Sequence, residues 1–281
     1  MGGYSAYPEY KDSGIEWLGK IPKHWSQSVI GYYFYVQLGK MLQNEPESIH
    51  DEENFYLKAL HVQWDKINID KLPKMWVPPR EKEKYSVRNG DLLICEGGEV
   101  GRTNLLIGIK EDCIIQNALH RVRPSKQSSV EYLNYLMRHI ADANWFDLLC
   151  NKATISHLTS EKLRAIAFPV PPLFEQEQIA RFLDYKTAQI DALIAKKEAL
   201  LEKLSEKRTA LITQAVTKGL DPNVPMKDSG IEWLGKIPKD WKMSRMKYYA
   251  TCFNGSTPRT TDPEYWENGE IPWLSSNKVN D

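Results

Sequence analysis

The chain has 281 residues, 42% of them hydrophobic, and its 37 basic side chains balance 37 acidic ones to give no formal net charge at pH 7. Such a length holds one large domain or two smaller ones around a real core, and the charge balance excludes a polybasic protein that grips nucleic acid by bulk charge, though not a locally basic face. No apolar run reaches the length of a membrane span, and Cys95, Cys113, Cys150 and Cys252 lie far apart without C-x-x-C spacing, so a soluble, cytoplasmic protein with reduced thiols, no zinc site and no disulfide framework is expected.

In chain order, the first distinctive segment is Lys11 to Trp25, KDSGIEWLGKIPKHW, which returns as KDSGIEWLGKIPKDW from Lys227 to Trp241 with His24 exchanged for Asp240. Fifteen positions at one constant offset mark an internal repeat. Trp17, Leu18, Ile21 and Trp25 read as a docking clip, with Gly14, Gly19 and Pro22 shaping its bends. Residues 1–25 are therefore taken as an aromatic docking segment.

Residues 26–172 carry short apolar or alternating runs, namely Val29 to Val36, Asn54 to Val62, Leu92 to Cys95, Leu105 to Ile109 and Arg121 to Arg123. Asn89-Gly90-Asp91 is a tight-turn signal before the run Leu92-Leu93-Ile94. Helical spacing appears from Glu131 to Leu149 and again from Ser160 to Ala165. The expected fold class is α+β, a globular domain of mixed strands and short helices followed by one long coiled-coil spacer helix.

Residues 173–218 form that helix. Pro169, Pro171 and Pro172 impose an extended approach, Glu175 and Glu177 place negative charge near its positive end, and Lys218, Gly219 and Pro222 close it. Between Glu175 and Lys218, Leu183, Ile190, Leu204 and Leu211 recur at sevens or fourteens, with Leu193 and Leu200 on a neighbouring row and Lys197 in the vacant slot. At about 1.5 Å per residue the helix is roughly 65 Å long. A seam this narrow needs a partner helix and makes Leu183, Ile190, Leu193, Leu200, Leu204 and Leu211 the expected dimerisation residues. Residues 219–241 then hold a linker and the second repeat copy, and residues 242–281 look like the incomplete start of a second domain.

Catalytic motifs are missing: there is no phosphate-binding loop, no G-x-G-x-x-G opening a helix, no H-E-x-x-H, no G-x-S-x-G, and the six histidines have no ligand spacing. Val170-Pro171-Pro172-Leu173 lacks the amide and aromatic of an amino-methyltransferase signature. What remains are polar, locally basic loops: Cys113 to Val130, Leu148 to Ser160 and Gly97 to Asn104. Arginine, asparagine and glutamine can make paired hydrogen bonds to base edges, whereas lysine and hydroxyls position phosphates. Arg102, Asn117, Arg121, Arg123, Lys152 and Thr154 are the candidate DNA contacts.

With these features the chain resembles the specificity subunits of type I restriction-modification systems. The resemblance rests on the repeated opening, Gly90-Asp91-Leu92-Leu93-Ile94, Gly101-Arg102, Arg121-Val122-Arg123-Pro124, Ile155-Ser156-His157-Leu158-Thr159, and Pro171-Pro172-Leu173-Phe174-Glu175-Gln176-Glu177-Gln178-Ile179 leading into the helix. It implies a target-recognition domain that reads half of a bipartite DNA sequence, a non-catalytic subunit, and methyltransferase and restriction subunits as partners. S-adenosylmethionine and ATP would bind only to those partners. Because the chain holds one complete recognition domain and the start of another, a truncated, half-length form is expected, with a homodimer through the long helix. A coiled-coil scaffold with a protein-binding head and no DNA role is the alternative.

Overall fold

The computed structural model describes residues 6–15, 17–146, 157–259, 261–267 and 274. Two compact units divide the chain, Met1–Ile194 and Ala195–Asp281.

The first unit opens with the hairpin β1 (Tyr10–Asp12) and β2 (Lys20–Pro22), then β3 (Ser26–Val29), the single-turn helix α1 (Ile30–Tyr33) and β4 (Phe34–Leu38). The expected strand from Val29 to Val36 is thus interrupted, because α1 packs closely on a later helix and a side chain at Gly31 would strike Arg164 Cβ at 2.9 Å. β5 (Glu52–Leu57), β6 (Lys74–Val77), α2 (Pro79–Tyr85), β7 (Leu92–Cys95), β8 (Thr103–Leu105), β9 (Cys113–Ile115) and β10 (Leu119–Pro124) follow. The runs expected at Asn54 to Val62 and Leu105 to Ile109 are shorter as strands: the first turns into a 3-10 segment at Ala59–His61, and the second ends at Leu105.

A four-stranded antiparallel sheet in the order β4-β10-β7-β8 lies at the centre, beside a three-stranded sheet β6-β5-β9 in which β5 is parallel to β9. β7 is buried along its whole length because Leu92 and Ile94 face one core while Leu93 and Cys95 face another. A strand covered on both faces needs a continuous apolar run rather than an alternating one, and Leu92-Leu93-Ile94-Cys95 supplies it.

Helix α3 (Val130–Asp142) covers the first core with Val130, Leu133, Met137 and Ile140, spaced to share one face. Ser129 caps it, its Oγ accepting from Tyr132 N at 3.0 Å. α3 ends at Asp142 and Asn144, at φ 58°, breaks the run, but Trp145 and Phe146 are helical again; residues 147–156, with the rest of the expected run to Leu149, lie outside the described ones. α4 (Ser160–Ala165) matches its expected bounds, and β11 (Ala167–Val170) pairs antiparallel with β3, Val170 opposite Ser26. That pairing returns the end of the domain to its beginning, so the opening hairpin sits beside the start of α5 (Leu173–Lys218).

The second unit holds the C-terminal part of α5 and the second repeat copy. Gly219, at φ 80°, ends the helix, its N–H reaching Ala215 O at 3.2 Å. β12 (Met226–Asp228) then pairs with β13 (Lys236–Pro238), Lys227 opposite Ile237 just as Lys11 lies opposite Ile21. The finer bonds repeat too: Gly14 N donates to Asp12 Oδ1 at 2.7 Å and Gly230 N to Asp228 Oδ1 at 2.8 Å, while Ser13 N and Ser229 N each reach a glycine carbonyl at 2.9 Å. The sequence repeat is therefore a structural one. Beyond it come single turns at Met246–Tyr248 and Pro263–Tyr265.

Candidate functional site

The first copy of the hairpin is docked. Ile15 and Ile21 are buried, Trp17 packs against the first core, and its ring lies 5.9 Å from that of His139. Glu175, in the first turn of α5, collects three bonds from this segment: Trp25 Nε1 donates at 2.8 Å, Tyr7 OH at 3.1 Å, and His24 Nε2 lies 2.8 Å from the other oxygen. Partial burial would raise the Glu175 pKa, but the bonds from Trp25, His24 and Tyr7 outweigh it and hold the carboxyl below its ordinary value. Gln176, fully buried, accepts from Ser129 N at 3.0 Å and Ser128 Oγ at 3.1 Å and donates to Pro171 O at 2.8 Å. Glu175 and Gln176 thus fasten α5 to the hairpin on one side and to the cap of α3 on the other. Charge at the helix end was legible in the sequence; these specific bonds were not. The signal for Gln176 is its spacing from Ile179 and Ala180, which puts an amide on the helix face that meets the core.

Two of the polar loops, and the described end of the third at His157 and Leu158, meet at one end of the central sheet. Glu96 N donates to Ala118 O at 3.0 Å, Leu158 N donates to Glu96 O at 2.8 Å, and a side chain at Gly97 would lie 3.3 Å from His157 Nδ1. Gly101, at φ 78°, sits where any Cβ would collide with the Phe146 ring, so the turn preceding Arg102 demands glycine. Asn117, half-buried, occupies the tight turn between β9 and β10, its N–H bonded to Lys40 O at 2.8 Å. Arg102 is nearby but engaged, to Glu99 at 3.0 Å and Ala59 O at 2.9 Å. The segment with Lys152 and Thr154 lies outside the described residues.

Arg121 and Arg123 are elsewhere, on the β10 face opposite Val122. Arg121 is only 4% exposed and donates to Ser86 O; its Nε has no partner. Burial and the nearby Arg123 charge hold its guanidinium below its ordinary pKa, Asp91 acting in opposition. Arg123 clasps Asp91 with Nε at 2.5 Å and an amino group at 2.7 Å. Neither arginine can reach a base edge without giving up these bonds, so in this structure both candidates are engaged within the domain. Of the candidates, Arg102 and Asn117 lie in the loops joined at Cys95 and Glu96, whose N–H groups bond Arg102 O and Ala118 O.

Along α5 the expected seam is exposed: Ile190, Leu193, Leu200, Leu204 and Leu211 are all about half accessible, and Leu183 is half-buried. No group of metal-ligating side chains occurs among the described residues, and no described helix is long and apolar enough to cross a membrane.

Residues 78–203 match the type I restriction modification DNA specificity domain family. Among curated relatives, a Methanocaldococcus jannaschii protein given the name type I restriction enzyme MjaX specificity subunit is 30% identical over 92% of this chain and 60% of its own length. The MjaVIII specificity subunit of the same organism is 25% identical over 89% of this chain and 54% of its own. The chain thus spans little more than half the length of these relatives. A chain from a solved structure of a type I R-M system superposes with a TM-score of 0.54 at 20% identity, covering 73% of this chain and 48% of that one, and so shares the fold.

Proposed function

We propose that this chain is a DNA specificity component of the type I restriction-modification class, the one that reads double-stranded DNA for such a system, as its similarity to that family model and to the relatives above supports. Its folded domain reads one half of a bipartite site, and α5 spaces that domain from a second reader. The observation that carries this reading is that the family match runs from the polar loop end of the domain through the joint at Glu175 and Gln176 into α5. A scaffold with no DNA role finds no support among the relatives cited.

The reading face is the loop cluster around Asn117 and Arg102; Lys152 and Thr154, outside the described residues, are further candidate contacts. Methyl transfer and cleavage belong to methyltransferase and restriction subunits, S-adenosylmethionine and ATP bind there, and this chain is non-catalytic and cytoplasmic. Two copies pair α5 antiparallel, and a two-fold pair of readers takes an interrupted palindrome. Titrating duplexes onto the chain bound to its methyltransferase tests this. Binding should select one sequence class and weaken log-linearly with salt. Asn117→Ala should cost about 1–3 kcal/mol on the preferred site while weakening other duplexes much less. Binding indifferent to both salt and sequence would leave a scaffold instead.

A further inference from the structure

Eight apolar positions of α5 are arranged symmetrically about a single residue, Lys197. Three residues away on either side stand Ile194 and Leu200, and four away stand Leu193 and Leu201. Seven away are Ile190 and Leu204, and fourteen away Leu183 and Leu211. On a regular helix all eight fall within about 60° of the direction of Lys197, so they form one stripe with the lysine at its midpoint. The seven outside Leu183 are 47% to 66% exposed.

From this symmetry we infer that the two-fold axis of the homodimer passes beside Lys197. The inference rests on the pairing proposed above and adds its register. An axis there brings residues equally far from Lys197 to the same height on the two helices. Leu183 of one chain is then level with Leu211 of the other, Ile190 with Leu204, Leu193 with Leu201, and Ile194 with Leu200. Every apolar level meets an apolar level, and the only unmatched level is lysine against lysine at the axis. Moving the axis by a few residues in either direction sets leucines against charged or small polar side chains and exposes both ends of the stripe.

Two further observations favour a second copy of this chain as the occupant. Four acids against two bases precede Lys196 on the helix, while four bases against three acids follow Lys197, so antiparallel pairing sets the acid-rich end of each copy beside the base-rich end of the other. The stripe also runs, at Leu183 and Ile190, into a cleft of about 600 Å³ that is lined on its far wall by Trp64, Tyr135 and Arg138. The partner's Leu211 arrives level with that cleft. Lys197 opposite Lys197 costs stability at the middle of the interface, as a buried charge in a coiled-coil seam does, and in return it disfavours shifted registers in which a lysine would face leucines.

Cysteine crosslinking of the full chain, with Cys150 and the exposed Cys252 changed to serine and only the buried Cys95 and Cys113 kept, reads the register. Lys197→Cys alone should give a covalent dimer under mild oxidation, and Ile190→Cys or Leu204→Cys alone should not, whereas the two together should. Lys197→Leu should tighten the dimer at least about tenfold in sedimentation equilibrium. If Ile190→Cys and Leu204→Cys each crosslink alone, the helices run parallel and the inference is wrong. If the chain sediments as a dimer but Lys197→Cys does not crosslink, the axis lies elsewhere while the homodimer stands. A chain that stays monomeric at micromolar concentration overturns both the register and the pairing on which it rests.

Discussion

His120 and Gln176 carry polar groups into the core, and their bonds decide how the domain responds to acid and to mutation. His120 is fully buried, its Nε2 lying 2.7 Å from Leu158 O and its Nδ1 3.3 Å from Ser160 Oγ. Burial holds its pKa below the ordinary imidazole value, against the opposing pull of the Leu158 carbonyl. A base held low in the folded state stays neutral there while the unfolded chain takes up a proton, so stability should fall as pH drops below about 6.5. His61, lowered by burial and by Lys58, contributes in the same direction. Thermal unfolding at pH 7.5 and 5.5 should show a drop that His120→Gln makes shallower but does not abolish. Glu175 acts in a lower window: its stabilisation persists above the ordinary carboxylate pKa and disappears only as pH falls through its depressed folded value. Gln176→Ala strips the partner from the buried Ser129 N–H and should cost about 1–3 kcal/mol in urea titration. The residue scale was the least legible in sequence. Arg121 and Arg123 look like a basic pair on a loop, yet Val122 between them points into the first core, which turns both onto one face where Asp91 and Ser86 are waiting. The turn Asn89-Gly90-Asp91 was readable as a turn, but not its carboxylate as the partner of an arginine thirty-two residues away.

At the scale of elements, legibility follows how local the determinants are. α5 was readable nearly to the residue because prolines fix its approach and Gly219 its end, and both act through the backbone alone. α4 and β7 matched for similar reasons, a cap at Thr159 and an apolar run of strand length. α1 was missed because its interruption of an aromatic, β-branched run comes from the close approach of Arg164, which no local pattern announces. The helical run read from Glu131 onward is broken rather than continuous, because Asn144 takes a left-handed conformation between α3 and the helical Trp145 and Phe146, which no local spacing announces. The seam of α5 gives the prediction proper to this scale. Leu204→Asp should make the chain monomeric in sedimentation velocity while leaving the unfolding temperature of the domain unchanged within about 2 °C, because Leu204 is 51% exposed on the helix surface.

At the scale of the molecule, the pairing of β11 with β3 places the beginning and end of the folded domain side by side, and a copy of the repeated hairpin precedes and follows α5 in sequence. In the proposed account, hairpin, domain and helix act as one module, and the exposed stripe of the helix is where a second would join. That the chain reads DNA as a symmetric pair of such modules is the central claim, and its sequence-level trace was the repeat together with the unfilled seam. Mapping methylated bases in cells that carry the partner methyltransferase, with and without this chain, tests it most directly. The account predicts new methylation that depends on the chain and falls at an interrupted palindrome, lost when Leu204 is changed to Asp. A methylation pattern identical in the absence of the chain, or chain-dependent sites whose two halves are unrelated, would contradict it.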